Sequence, residues 1–359
     1  MSNILDAEMR MLGETVERYV AAQKDLAGTA GNRWQEFAEL GWLSLPYPEE
    51  AGGLGFGSAG VAAIMKGHGN GLMETPFLPF SVMAGGVMAR CPDAAETLAT
   101  MMSGDMRVAP GLPGAGCDDV AGVRKFVASA VPGGYSLSGG EIRVLAVDEA
   151  DAVLVPATFE DSGEIGLFLV PLESAGLSTR AHRLPDGRTA GNVSLKNVIL
   201  SSTARLDRGI DVLAVLGEVM DETLIAAAAE NVGAMQALFD ITLEYAKLRR
   251  QFGRAIGSFQ SLQFRLVDMW IKLDEASSLV AAAAAARDRQ EIASLATAAW
   301  IQSIWSGRLI GEEAIQIHGA IAMTDEYVVG RYVKRLLVNE LLFGAPERHL
   351  DRYRSCQAN

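Results

Sequence analysis

The chain has 359 residues, 49% hydrophobic and 21% charged, enough apolar side chain to bury a large core across two or three domains. Its 44 acidic and 31 basic side chains give a formal charge of −13, which repels a phosphate backbone over most of the surface and argues against nucleic acid as a partner. A phosphorylated small molecule would need a local basic pocket, so clustered arginines are the feature to look for.

Residues 1–104 read as a helical domain. Met9, Leu12, Val16, Tyr19 and Val20 recur at steps of three and four, one buried face of an opening helix. Met1 to Arg10 has no apolar run preceded by basic residues, so neither a secretory signal nor a transit peptide is expected, and the expected location is cytoplasmic. A second helix over Trp34 to Leu40 stops at Gly41. Pro46, Pro48, Gly52, Gly53, Gly55 and Gly57 then exclude regular helix and predict an ordered loop. Ser58 to Asn70 is helical again, and the two prolines within Glu74 to Pro79 force a turn.

Residues 105–209 change character. Gly111, Pro113, Gly114 and Gly116 mark a loop, after which β-branched and aromatic stretches recur at Val123–Ala130, Tyr135–Leu137, Ala152–Val155, Gly166–Val170 and Val193–Leu195. Glycine-rich turns separate them, so a small antiparallel sandwich or barrel is expected. From 210 to 359 the chain is helical: Asp211 to Arg250 lacks proline, Ser258 is a candidate cap for the next helix, and Glu291–His318 and Asp325–Leu342 complete a four-helix bundle. The fold class is thus α+β multidomain, with an N-terminal helical domain, a middle antiparallel β-domain and a C-terminal bundle. Apolar runs such as Ala281–Ala286 fall well short of the roughly 20 residues of a membrane span, so no membrane association is expected. Cys91, Cys117 and Cys356 are far apart, which fits a reducing compartment, and neither they nor His68, His182, His318 and His349 have metal-ligand spacing.

Three segments carry a resemblance. Leu248-Arg249-Arg250-Gln251-Phe252-Gly253-Arg254-Ala255-Ile256-Gly257-Ser258-Phe259-Gln260, trailed by Asp268-Met269, closely resembles the RxxFGxxIxxFQ pattern of the acyl-CoA dehydrogenase family. Gln316-Ile317-His318-Gly319, continued by Glu326-Tyr327 and Arg331, is similar to the family's QxxGGxG segment, and Trp34 to Gly55 is similar to its N-terminal motif. The resemblance spans nearly the whole chain. It implies FAD as cofactor, an acyl-CoA substrate, an electron-transferring flavoprotein or similar acceptor, and a homotetramer or α2β2 heterotetramer. It also implies that Arg249 grips the diphosphate of a neighbouring subunit's FAD, with Gln251, Phe252, Gln316 and Gly319 beside the cofactor; the bland alternative is that Arg249 pairs with Glu244 and Gly253 merely caps a helix.

Other positions depart from the pattern. The family's LTEPxxGSD segment corresponds to Ala109–Asp119, without its threonine and glutamate, and in the strand resembling GxKxWIT, Val144 stands for the aromatic and Ala146 for the hydroxyl residue. The catalytic carboxylate that should remove the α-proton is missing from both customary places, where Phe343 and Thr223 stand. Glu222 and Glu230 are the catalytic candidates, with Glu340 a third; each could instead serve the helix dipole, a buried hydrogen bond or solvent. The expected function is oxidation of the Cα–Cβ bond of an acyl-CoA thioester. The alternatives are a flavin-poor partner subunit of a heteromeric acyl-CoA dehydrogenase and a non-catalytic binding or scaffold relative.

Overall fold

The computed structural model describes residues 2–24, 33–112, 125–324 and 326–357. Cys117 and most of the expected loop from Pro113 lie outside them, as do Val123 and Asp325. Contacts divide the described residues into two compact units. One gathers helix α1 (Ser2–Lys24), Ser58–Glu74 and the described chain from Leu224 onward; the other gathers the described residues between α1 and Ser58 together with those of Thr75–Thr223.

The second unit holds the sheet. Helix α2 (Arg33–Glu39) ends before Gly41, which takes φ 72°, and packs its aromatic residues into a cluster: Trp34 stands edge-on to Phe80 at 5.5 Å, and Phe37 to Trp42 at 4.8 Å. A π-helical segment, Leu78–Ala84, continues directly into α4 (Gly85–Met88). After α5 (Ala95–Met102) come seven strands: β1 (Val108–Pro110), β2 (Phe126–Val131), β3 (Gly134–Leu145), β4 (Ala152–Phe159), β5 (Ile165–Pro171), β6 (Leu177–Arg183) and β7 (Thr189–Ser201). The order is β1-β4-β2-β3-β7-β6, with β5 on β4. The sheet is mixed, because β4 runs parallel to both β1 and β2, where tight turns had pointed to antiparallel pairing throughout. Periodicity also passed over β1, which is too short to show a pattern, and β6, whose residues are almost all exposed. Cys91, just beyond α4, is 3% exposed, and burial, with the charges of Asp207 and Asp93, pushes its thiol up to about 12.

The first unit is the bundle. It is built from α3 (Gly57–Gly71), the long helix α6 (Val212–Leu248) beyond Thr223, α7 (Gln260–Ala285), α8 (Arg289–His318), α9 (Val328–Phe343) and α10 (Pro346–Gln357). Asp288 caps α8 by accepting from the backbone N–H groups of Gln290 and Glu291. Ser258 does not cap α7: Phe259 holds that position, and the Ser258 hydroxyl donates to the Ala255 carbonyl instead. Among the described residues no helix is long and apolar enough to cross a membrane.

Two glycines set how α3 and α6 meet. A Cβ on Gly69 would lie 1.8 Å from the carbonyl oxygen of Glu230, and one on Gly233 would lie 1.9 Å from that of Lys66. The helix backbones therefore touch where both lack side chains. Gly233→Ala should improve the intrinsic helix propensity of α6 by about 1 kcal/mol yet destabilise the protein by about 2 kcal/mol or more, because neither backbone can retreat without unpacking its helix. Chemical denaturation of the variant checks this, and a neutral or stabilising result would refute the crossing.

Candidate functional site

The arginine-rich motif forms a projecting hairpin. α6 ends at Leu248, and the Arg249 amide still donates to the Tyr245 carbonyl at 2.8 Å. β8 (Arg250–Gln251) then pairs with β9 (Arg254–Ala255), leaving Phe252 and Gly253 as the two turn residues. Both have positive φ, 52° and 81°, as a two-residue hairpin turn requires. A phenylalanine is rarely found there, since its Cβ crowds the backbone. Phe252 is 92% exposed, its ring edge-on to Phe259 at 6.3 Å, and the Arg254 guanidinium lies 3.9 Å from the Phe259 ring centre. Arg249 and Gln251 are exposed as well. The Arg249 side chain makes no hydrogen bond or ion pair with the described residues; Glu244, the acid that could have paired with it, pairs with Lys247 at 2.6 Å. Three guanidinium groups within six residues thus form a local cationic patch on an acidic chain.

The second motif closes α8 beside this hairpin. His318 is buried, stacks on Tyr245 at 4.3 Å between ring centres, and lies 5.3 Å from Tyr327. Its Nδ1 donates to the Ala314 carbonyl at 2.9 Å, and burial pushes its pKa down, only partly offset by that bond. Because Tyr245 lies one turn before Arg249 and His318 between Gln316 and Gly319, the stack brings both motifs to one end of the bundle. Gln316 and Gly319 are exposed there, and Gly319 adopts φ 69°, with nothing within 4 Å of the place a Cβ would take. The exposed Arg249 guanidinium, an exposed ring and an open glycine backbone suit a diphosphate-bearing dinucleotide approaching from outside the chain.

The carboxylate candidates lie elsewhere and differ from one another. Glu230 is 2% exposed, and both its oxygens are engaged: Arg335 Nη1 donates to Oε1 at 2.7 Å and Asn339 Nδ2 to Oε2 at 2.9 Å. Asn339 also donates to Asn231, whose amide reaches Ser303. Arg335 and Tyr332 of α9 further donate to the carbonyls of Met73 and Asn70, satisfying the C-terminal end of α3. Arg335 escaped sequence reasoning, although a visible signal existed: it lies on the buried stripe of α9 as Glu230 lies on that of α6. Glu230 precedes Arg249 by 19 residues of α6, roughly 28 Å of helix rise. Glu222 instead pairs with Arg90 in the unit that holds the sheet, its side chain 32% exposed. Glu340 pairs with Arg308. Phe343, where the family resemblance looks for a carboxylate, is buried edge-on to Trp300 at 5.9 Å.

In the sheet, Val144 is fully buried in register with Gly191, and Ala146, with φ 52°, directly follows β3. Neither offers a polar group to a flavin. Of the remaining eroded segment, Ala109–Leu112 is buried and the rest lies outside the described residues.

Two family models match the sequence, the acyl-CoA dehydrogenase N-terminal domain over residues 5–91 and the acyl-CoA dehydrogenase C-terminal domain over residues 213–354. The chain belongs to the acyl-CoA dehydrogenase family. This acyl-CoA dehydrogenase is 28% identical over 331 residues to acyl-CoA dehydrogenase FadE27 of Mycobacterium tuberculosis, covering 89% of this chain and 86% of that one. It superposes on a chain of the ChsE4-ChsE5 complex from Mycobacterium tuberculosis with a TM-score of 0.84 at 25% identity, over 98% and 97% of the two chains. With a chain of the Tcur3481-Tcur3483 steroid ACAD the TM-score is 0.83 at 25% identity, over 99% and 98%. It is therefore an oxidoreductase of the class that carries out flavin-dependent oxidation of acyl-CoA thioesters.

Arg335→Met should cost about 3–5 kcal/mol in an unfolding titration, since it leaves the Glu230 charge buried without the cation that faces it; a loss below about 1 kcal/mol would refute this. His318 is held neutral in the fold, while the unfolded chain takes up a proton near pH 6.5, so the unfolded state binds more protons and stability falls as pH drops below that value. The melting temperature should decline more steeply from pH 7 to pH 5.5 in the wild type than in His318→Phe, and parallel curves would exclude this contribution.

Proposed function

We propose that this chain oxidises the Cα–Cβ bond of an acyl-CoA thioester with FAD, passing electrons to an electron-transferring flavoprotein or similar acceptor, inside an oligomer whose subunits share the flavin sites. The observation that carries this reading is the exposed Arg249 guanidinium, which pairs with none of the described residues and is brought by the Tyr245–His318 stack to the same end of the bundle as Gln316 and Gly319. Arg249 would hold two diphosphate oxygens with paired, charge-assisted bonds, Phe252 and Gln251 would lie along the nucleotide, and Gln316 and Gly319 would meet it through an amide and a close backbone approach. FAD, when bound, accepts the β-hydrogen together with its electron pair. Glu222 is the better candidate for the α-proton, because Glu230 has both oxygens committed to buried partners.

A specific observation favours a second reading, in which the flavin is seated mainly in a different chain of an α2β2 assembly. The positions through which a subunit would touch its own flavin, Val144 and Ala146, are apolar and buried, while the hairpin offered to a neighbour keeps its full motif. The visible spectrum of the purified chain separates the two: flavin bands near stoichiometry support a homo-oligomer, and a colourless protein that turns yellow only when co-expressed with a related subunit supports the mixed one. A chain colourless in both settings would refute flavin chemistry altogether. In whichever assembly binds FAD, Arg249→Ala should lower cofactor retention at least 10-fold and leave apo-protein unfolding within about 0.5 kcal/mol of wild type. Unchanged flavin content in that variant would remove the site.

A further inference from the structure

The guanidinium of Arg90, just beyond α4, is held on every side. Its Nε donates to Glu218 Oε2 at 3.0 Å, Nη2 to Glu222 Oε1 at 2.7 Å, and Nη1 to the Gly86 carbonyl at 2.9 Å. Glu218 and Glu222 are one turn apart on α6, so both carboxylates face the same cation. Burial alone would favour loss of the Arg90 proton, but the two carboxylates outweigh it and its pKa is raised. The clamp is permanently charged.

The two oxygens of Glu222 are unequal. Oε1 is tied to Arg90, whereas Oε2 accepts no hydrogen bond from the described residues and lies over the side-chain-free face of Gly86, 3.7 Å from where a Cβ would be. The Glu222 side chain is part-exposed, as are those of Arg90 and Glu218, so the free oxygen is not sealed in the core. Beneath the cluster, Tyr47 is buried and its hydroxyl is committed to the Ser81 carbonyl at 2.7 Å; burial, with the Glu222 charge, pushes its phenol up. One oxygen anchored and the other open is the arrangement a general base needs: the anchor removes side-chain freedom and leaves a lone pair directed at the incoming proton.

We propose that Arg90 is a positioning residue for proton abstraction, holding Glu222 so that Oε2 takes the α-proton of the acyl-CoA. This rests on the dehydrogenase reading above. In the step, the Cα–H bond breaks as the proton goes to Oε2, its electron pair becomes the Cα–Cβ π bond, and the β-hydrogen leaves with its pair to the flavin oxidant. Arg90 touches none of the reacting atoms and acts only through Glu222.

The test is a double-mutant cycle on the flavin-loaded protein, purified with its partner subunit if one is required, using butyryl-, octanoyl- and isovaleryl-CoA. Flavin bleaching reports the full reaction, deuterium uptake at Cα from heavy water reports proton abstraction, and thermal unfolding is followed alongside. Glu222→Gln should slow flavin reduction by 10²-fold or more and Arg90→Gln by 10- to 100-fold, mainly in kcat, with Arg90→Lys recovering part of the loss. Arg90→Gln added to Glu222→Gln should cost nothing further, because the group it positions is already gone. Equal rates for Arg90→Gln and wild type, or losses that simply multiply in the double variant, would overturn the Arg90 assignment while leaving the dehydrogenase reading intact. If the wild type itself leaves the flavin oxidised with every thioester, the dehydrogenase reading falls and the assignment with it.

Discussion

The bundle depends on a charge pair sealed where helices cross. Glu230 and Arg335 have almost no contact with solvent, so each has lost hydration worth several kcal/mol, which their mutual bond, the Asn339 amide and the Met73 carbonyl help to offset. Such a pair tolerates one geometry. The backbones of α3 and α6 touch at Gly69 and Gly233, α9 supplies both Arg335 and Asn339, and Tyr332 and Arg335 of α9 donate to the carbonyls of Asn70 and Met73 at and just beyond the end of α3. Sliding any of the three helices by one residue would strand a buried ion or orphan a carbonyl, which gives the alanine-rich interior of α6 a register that its small side chains could not specify alone.

That constraint also separates the carboxylates by role. Glu230 has spent its acceptor capacity on packing, and its environment resembles that of a structural ion. Glu222, two turns earlier in the same helix, keeps an uncommitted oxygen at a partly open edge. Similar residues on one helix thus diverge because one meets α9 and the other meets α4. The cationic hairpin follows the C-terminal end of α6, where Arg249 is exposed and the Arg254 guanidinium rests on the Phe259 ring.

Much of this was legible in the residues. Apolar steps of three and four located the longer helices but not α5 or α10, β-branched clusters located most strands, and Gly253, expected to end the long helix, instead turns the hairpin that follows its end at Leu248. What escaped has physical reasons. Parallel pairing of β1 and β2 with β4 is a long-range event that local turn chemistry does not encode. Ser258 looked like a cap because serine favours that role, but its hydroxyl found a nearer acceptor. For the site, the arginine motif was readable as a string, whereas Arg90 and Arg335 emerged only when distant segments were brought together: a lone arginine in sequence says nothing about which carboxylate it will meet.

Cys91 sits directly after the clamp residue, sealed from solvent with a thiol that holds its proton well beyond neutral pH. Thiolate is the reactive species, so alkylating reagents find almost nothing to attack while this part of the fold is closed. Its labelling in the intact protein therefore reports how often the fold around α4 opens, because the closed state contributes little.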